Sequence, residues 1–236
     1  MTKQEILDDL REKILSEYFK QGQSLIEREL CEMYKVSRTP MREVLWKLAI
    51  DGIVEHKPSR GFFVRKLEWD QIFEIFQARE AIEGMATRLA CQKAALPFIK
   101  KLKELKKKLI EIDIKKNPAD GSRIGRIIHQ EIINYSSNRF IKEFYNKIKY
   151  LAKLTSNIST KSSIIEYDSK TYHLAIIQAI INGDAEKSEL FMREHLRITC
   201  RAIIEKFYPQ VINSSMSDEI RKEIFEYVSN SEIEEL

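Results

Sequence analysis

The sequence is poor in the residues that interrupt helices. It has only 7 Gly and 5 Pro among 236 residues, whereas hydrophobic residues make up 43% and charged residues 32%. This composition disfavours a turn-rich β fold, favours helices and supplies enough apolar side chains for a core. The length leaves room for one large domain or two ordinary ones.

Cysteine and long apolar runs are also scarce. Cys31, Cys91 and Cys200 are odd in number and far apart, so they match no metal motif and fit a reducing compartment. All three lie in apolar helical patterns, which predicts that they are core residues. No apolar run approaches the roughly 20 residues that cross a bilayer, and the first ten residues lack an apolar segment. We therefore expect a cytoplasmic protein with no membrane segment.

The small net charge of +4 is unevenly distributed along the chain. Residues 1–32 hold 5 Lys and Arg against 8 Asp and Glu, a net of −3, whereas residues 33–66 hold 8 against 3, a net of +5. A basic patch behind an acidic segment is the electrostatic pattern expected of a DNA-reading surface, although solvated basic surfaces are common as well.

The first 66 residues predict three short helices followed by a β-hairpin, which together make a winged helix-turn-helix. The third helix begins after Ser37, a good N-cap, and tolerates Pro40 in its first turn. Apolar residues recur at helical spacing in 6–15, 27–34 and 38–49, and the two strands cover 53–56 and 61–65.

The start of the third helix carries the side chains that suit DNA. Arg38, Thr39 and Arg42 project from its N-terminal end, opposite its apolar face. A helix N-terminus favours phosphate through its N–H groups and dipole, and arginine binds guanine edges with two hydrogen bonds. The alternative is that some of these residues form surface ion pairs, for example Arg42 with Glu43 or an earlier glutamate.

Two stretches of this segment resemble the GntR family of regulators. They are Leu25-Ile26-Glu27-Arg28-Glu29-Leu30 and Val36-Ser37-Arg38-Thr39-Pro40-Met41-Arg42-Glu43-Val44-Leu45, with Asp51-Gly52-Ile53-Val54 and Arg60-Gly61-Phe62-Phe63-Val64 following. The resemblance implies that the protein is not an enzyme but binds a double-stranded DNA operator. The DNA contacts that it implies come from Arg28, Ser37, Arg38, Thr39 and Arg42, and from Arg60 and Gly61 at the wing tip.

The rest of the chain, 67–236, predicts a second domain made only of helices. No Gly- or Ser-rich linker separates it from domain 1–66. Its apolar stripes predict six or seven helices in one antiparallel bundle. The predicted helices cover 69–95, 98–116, 122–136, 139–157, 163–181, 185–208 and 217–228.

Three histidines of this bundle, His129, His173 and His195, each share a helix face with apolar residues and are expected to point inward. Three imidazoles on three helices can converge on one divalent metal such as Zn²⁺ or Ni²⁺, but they can equally be separate core residues with hydrogen-bond partners. Arg79 lies on a similar stripe, and a buried guanidinium needs an anion. That anion is either Glu83, one turn later, or a ligand carboxylate.

The bundle resembles the FCD sensor domain of the FadR branch of the GntR family. The matching residues are Ala78-Arg79-Glu80-Ala81-Ile82-Glu83, Ile128-His129, Ser136-Ser137-Asn138, His173-Leu174-Ala175-Ile176 and Met192-Arg193-Glu194-His195-Leu196. The resemblance implies a metal on one Asp and three His, and a small organic acid as effector. Here Gly125 stands at the position of the Asp. The implied effector contacts are Arg79, Asn138 and Arg193.

These features predict a homodimeric transcription regulator that binds a palindromic operator and responds to a small carboxylate. One alternative is a DNA-binding protein whose helical domain only dimerises and binds no ligand. A cavity around the three histidines and Arg79 would argue against that alternative, and an apolar core there would support it. The other alternative, a metal-dependent hydrolase, would need a carboxylate as general base beside the metal, and Gly125 removes the obvious one.

Overall fold

The computed structural model of the chain describes residues 1–213. Ten helices and three short strands lie in these residues. The mainly α class is therefore confirmed, with a small sheet near the N-terminus and only helices after it as far as residue 213. The predicted helix over 217–228 lies outside the described residues.

The chain divides into two compact units. The first consists of Met1–Glu68 together with Asn146–Asn157, and the second of Trp69–Tyr145 and the chain from Ile158 onward. The predicted boundary after residue 66 falls two residues before the end of the first stretch. That a later segment belongs to the first unit was not predicted.

The N-terminal stretch folds as three helices and a three-stranded antiparallel sheet in the order β1-β3-β2. Its core consists of the apolar faces of the helices and the inward side chains of the strands, including Leu10, Leu45 and Val64, which are fully buried. Its elements are α1 (Lys3–Leu15), β1 (Ser24–Leu25), α2 (Glu27–Tyr34), α3 (Arg38–Ile50), β2 (Val54–Lys57) and β3 (Gly61–Val64).

The structure differs from the prediction for this stretch at three points. Strand β1 was not predicted, because two residues are too short for an alternating pattern; it is held by pairing of Leu25 with Phe62 on β3. Ser37 does stand at the N-cap of α3, but its side chain makes no capping hydrogen bond. Cys31 is half-buried rather than a core residue, whereas Cys91 and Cys200 are buried as predicted.

The second unit is built from the helices α4 to α6 and α8 to α10, together with the two ends of α7. Predicted and observed helices agree closely, because long amphipathic stripes specify a helix more strongly than short ones do. In this unit α9 packs along α4 and α8, and α6 packs on α4 and α8. The helices are α4 (Trp69–Gln92), α5 (Leu96–Glu111), α6 (Pro118–Tyr135), α7 (Arg139–Ser159), α8 (Ser163–Ile181), α9 (Ala185–Phe207) and α10 (Pro209–Asn213).

Residues 146–157 of α7 pack within the first unit. The Asn157 side-chain amide donates to the Leu15 carbonyl at the end of α1 over 2.9 Å. The Arg11 guanidinium bonds Asp51 at 2.8 Å and lies 5.0 Å from the ring centre of Tyr150. The Asn157 amide thus satisfies a carbonyl that the last turn of α1 leaves without an intrahelical partner.

None of the helices within residues 1–213 combines the length and the apolar run that a membrane span requires.

Candidate nucleic-acid interface and metal centre

A basic groove lies where α2, α3 and the wing meet. Five of the seven residues predicted to bind DNA line it: Arg28, Arg38, Arg42, Arg60 and Gly61. The four arginines are exposed, so their charge is available to a partner. Ser37 and Thr39, the other two, are exposed at the start of α3 but are not among the lining residues.

Two of these arginines are held differently. Arg42 donates from Nε to Glu27 at 2.7 Å, which fixes its guanidinium and raises its pKa through that hydrogen bond. The sequence alone left the partner open between Glu43 and an earlier glutamate, and the structure identifies Glu27. Arg38 makes no ion pair with the residues that the structure describes, so its guanidinium projects freely beside the groove.

Aromatic rings make several of the side-chain contacts of the wing, which is formed by β2, β3 and the turn between them. Phe63 on β3 lies between two cations, with Lys57 Nζ 5.2 Å and Arg60 Cζ 5.8 Å from its ring centre. His56 packs its ring 4.8 Å from those of both Trp46 and Phe62. His56 is therefore a packing residue of the wing.

The second site is a buried cluster of imidazoles inside the helical unit. His129 on α6, His173 on α8 and His195 on α9 are all buried, and they form the only group of three possible metal-ligating side chains found within residues 1–213. His129 Nε2 lies 3.0 Å from His173 Nε2 and 3.3 Å from His195 Nε2. Three nitrogens about 2.0–2.1 Å from one tetrahedral ion stand roughly 3.3 Å apart, so this spacing fits a metal.

The protonation of the cluster also suits a metal. Burial, reinforced by the neighbouring imidazoles, lowers the pKa of His173 and of His195 well below the usual value. Both rings are therefore neutral and keep a lone pair, which is the form that binds metal. His195 Nδ1 is buried and has no hydrogen-bond partner, which leaves a polar atom beside the cluster unsatisfied.

Glu83 on α4 contacts the histidine cluster from outside the group of three imidazoles. Its two carboxylate oxygens are divided between two donors: Nε of Arg79, at 2.6 Å, and Nδ1 of His129. Burial alone would raise the pKa of Glu83, but Arg79 and His129 outweigh it and hold the pKa at about 2. A carboxylate only accepts, so His129 carries its proton on Nδ1 and directs Nε2 toward the other imidazoles.

Arg79 has N–H groups that are not used in hydrogen bonds within residues 1–213. Its side chain is only 9% exposed, and within residues 1–213 its polar contact is that of Nε with Glu83. Its two terminal NH₂ groups consequently have no hydrogen-bond acceptor there. Tyr145, which was not predicted as a site residue, is buried near Glu83. Burial, and then the charge of Glu83, raise the pKa of its hydroxyl group.

The other two predicted effector residues are engaged elsewhere. Asn138 caps α7, where its Oδ1 accepts from the backbone N–H groups of Phe140 and Ile141. Arg193 bonds Glu189 at 2.7 Å and lies across Gly84, where a β-carbon would come within 2.9 Å of the guanidinium. Only Arg79 of the three is joined to the histidine cluster.

Family models match both units. Residues 2–64 match the bacterial regulatory proteins of the gntR family, and residues 74–198 match the FCD domain, which is more than half of the chain. The Nta operon transcriptional regulator of Aminobacter aminovorans is 27% identical over 193 residues, covering 81% of this chain and 89% of that protein. The transcriptional repressor RspR of Escherichia coli K12 is 25% identical over 202 residues, covering 82% and 85%.

Solved structures share the fold. A transcriptional regulator GntR from Rhodococcus sp. RHA1 superposes with a TM-score of 0.75 at 20% identity, covering 86% of this chain and 98% of that one. Escherichia coli McbR/YncC gives a TM-score of 0.70 at 19% identity, covering 88% and 100%. The family models and the two transcriptional regulators similar in sequence show that the chain is a DNA-binding transcriptional regulator and not an enzyme. The chain belongs to the GntR family of bacterial regulatory proteins, in the FadR-like branch that carries an FCD domain.

Proposed function

We propose that the protein is a homodimeric regulator whose affinity for a palindromic operator changes when a small carboxylic acid binds in the histidine cluster. The observation that carries the proposal is the convergence of three imidazole Nε2 atoms beside a buried guanidinium with unused donors. The imidazoles would hold a metal ion, which would supply a Lewis acid for a carboxylate, and the guanidinium would supply a paired hydrogen-bond donor.

His129, His173 and His195 would hold one divalent ion, Zn²⁺ or Ni²⁺, and leave a coordination position open to an oxygen ligand. Arg79 would then hold the acid through its terminal NH₂ groups. Asn138 and Arg193 are not part of this proposal, because both side chains have structural partners of their own.

Arg28, Arg38, Arg42 and the wing tip at Arg60 and Gly61 are the proposed groove contacts, with Ser37 and Thr39 at the entrance to α3. Two copies related by a two-fold axis would place two such grooves on the half-sites of one operator. Selection from random DNA tests this arrangement, which predicts enriched sequences with two inverted half-sites.

Elemental mass spectrometry on untagged protein purified without chelator tests the metal. We expect about one Zn or Ni per chain, lost in a His129→Ala, His173→Ala double variant. If neither protein takes up metal when Zn²⁺ is added, the metal site is refuted, and a helical unit that only dimerises becomes the better description.

Small carboxylic acids, screened by metal-dependent thermal shift, test the effector. An acid that binds should change operator affinity in a gel-shift titration at fixed salt. An acid that binds the cluster while operator affinity stays constant would refute the regulatory part of the proposal.

A further inference from the structure

The backbone of α6 touches the His173 ring at Gly125. A β-carbon built on Gly125 would stand 2.5 Å from His173 Cε1 and 3.1 Å from each ring nitrogen, a separation that real β-carbons do not show at the nearer atom. The ring cannot easily retreat, because the His129 and His195 rings pack at 5.0 and 4.4 Å from its centre. Any side chain at this position therefore competes with His173 for space.

The opposite side of the cluster is set by Glu83. Its carboxylate is fully buried on α4 and accepts from His129 Nδ1, so Nε2 is the nitrogen of His129 that faces the other two imidazoles. Outer partners of this kind fix both the tautomer and the ring orientation of a metal-ligating histidine. Glu83 does so while also satisfying Nε of Arg79, so each oxygen has one donor.

We propose that Gly125 and Glu83 are positioning residues for a metal site whose protein ligands are three neutral imidazoles and no carboxylate. Gly125 admits the His173 ring, and Glu83 orients His129 from outside the ligand set. The inference rests on the proposed metal site and adds how this chain builds it. A ligand set without a negative charge leaves both positive charges of a divalent ion to attract an anionic ligand.

A carboxylate at position 125 gives the sharpest contrast. Aspartate is a common metal ligand, so Gly125→Asp would strengthen metal binding if the space beside α6 were open. We expect weaker binding instead, because the new β-carbon displaces His173. Gly125→Ala separates the two effects, since it adds the β-carbon without a ligand and is otherwise favourable in a helix by about 1 kcal/mol.

Gly121 provides the matched control on the same helix. It lies one turn before Gly125, and a β-carbon there would stand 2.3 Å from Cδ1 of Ile114, the far end of a flexible side chain that can turn away without moving the cluster. Gly121→Ala should therefore leave metal binding at the wild-type level. A loss in this variant would mean that any change in α6 disturbs the cluster.

Glu83→Gln tests the second positioning residue with little change in volume. The amide has a single acceptor oxygen, whereas Arg79 Nε–H and His129 Nδ1–H each need one. His129 then loses its acceptor or faces an amide donor that favours the tautomer with Nε2 protonated. Either result weakens the His129 ligand without removing it.

Titration of the full-length protein with Co²⁺, followed by its visible absorption bands, and Zn²⁺ competition against a chelator measure these effects. Wild type and Gly121→Ala should bind one ion with equal affinity, and Gly125→Ala, Gly125→Asp and Glu83→Gln should bind about 10–100-fold more weakly. Circular dichroism of the metal-free variants shows whether each is folded.

Equal or tighter binding by Gly125→Asp, or unchanged binding by Glu83→Gln and Gly125→Ala, would overturn the inference while leaving the metal site standing. A wild-type protein that binds neither Co²⁺ nor Zn²⁺ would instead refute the proposed metal site itself, and the inference with it.

Discussion

Arg42 and Arg79 are each paired with a glutamate, but burial gives the two ion pairs different energetic weight. The Arg42–Glu27 pair is open to water, with 61% and 23% of the side chains exposed, whereas the Arg79–Glu83 pair has 9% and 1%. An exposed pair contributes little to stability, so Arg42 can exchange Glu27 for phosphate at little cost. Removing one partner of a buried pair leaves an uncompensated charge.

Truncation of Glu83 should therefore be far more damaging than truncation of Glu27. We expect Glu83→Ala to lower the free energy of unfolding by about 3–5 kcal/mol. Glu27→Ala, the matched exposed variant, should lower it by less than about 1 kcal/mol. Urea denaturation of the metal-free proteins measures both, and similar losses in the two variants would contradict this assignment of burial.

Arg38 should matter to DNA and not to stability. Its side chain is exposed and makes no ion pair within the described residues, so Arg38→Ala removes charge at the groove without opening a cavity. We expect operator binding to weaken by about 1–3 kcal/mol with an unchanged melting temperature. Gel shifts at fixed salt on DNA selected with the wild type measure this.

Arg201→Ala is the control for that measurement, because Arg201 is a surface residue of α9 paired with Glu205 at 2.7 Å. If Arg201→Ala weakens operator binding as much as Arg38→Ala does, net charge rather than the groove explains the effect.

At the scale of elements, α4 and α9 are joined by a line of ion pairs. Arg193 runs across α4 at Gly84, and Glu189 accepts from both Arg193, at 2.7 Å, and Arg88, at 3.2 Å. Burial would raise the pKa of Glu189, but these hydrogen bonds outweigh it and lower the pKa below its usual value of 4.5. The two helices are thus tied by charges that depend on an ionised carboxylate.

This network should make stability fall in acid. Because the pKa of Glu189 is lower in the folded than in the unfolded chain, its contribution is complete above about pH 4.5 and is lost as the pH falls through the folded value. Between pH 7 and pH 3.5, wild type should lose up to about 1 kcal/mol more unfolding free energy than Glu189→Gln. Parallel pH profiles from urea denaturation would refute this.

The long helices could be predicted because their apolar stripes repeat over many turns, and α8 was placed at its observed bounds. Strand β1 could not be predicted, because two residues are too few to show a periodic pattern. Its partner strand, β3, is also distant in the sequence. The three histidines were expected to point inward from their helix faces. The role of Glu83 was not resolved, because a glutamate four residues after Arg79 is also the ordinary intrahelical partner.

The space at Gly125 lay equally beyond the sequence. Glycine at that position indicated only that a carboxylate was missing, because the fit of the His173 ring against α6 depends on how α6 and α8 pack. Likewise, Asn138 and Arg193 matched a family pattern, but capping of α7 and the Gly84 contact are properties of the folded helices.

At the scale of the whole molecule, metal binding should be visible as stability. A ligand that binds only the folded chain stabilises it by about 2.7 kcal/mol at a hundred times its dissociation constant. Added Zn²⁺ should therefore raise the melting temperature of wild type, measured by differential scanning calorimetry. The His129→Ala, His173→Ala variant should show no shift, and an equal shift in both would place the bound ion outside the cluster.

Because α7 is divided between the two units, the DNA-binding unit is not a single continuous segment that can be isolated as a fragment. The polypeptide passes from one unit to the other after Glu68, again after Tyr145 and once more after Asn157. A DNA-binding fragment that ends at residue 66 would lack the Asn157 amide that donates to the Leu15 carbonyl. It would also lack the Tyr150 ring beside Arg11. The DNA-binding unit therefore cannot be transferred to another protein as residues 1–66 alone. A chimera that contains this unit must include residues 146–157 as well.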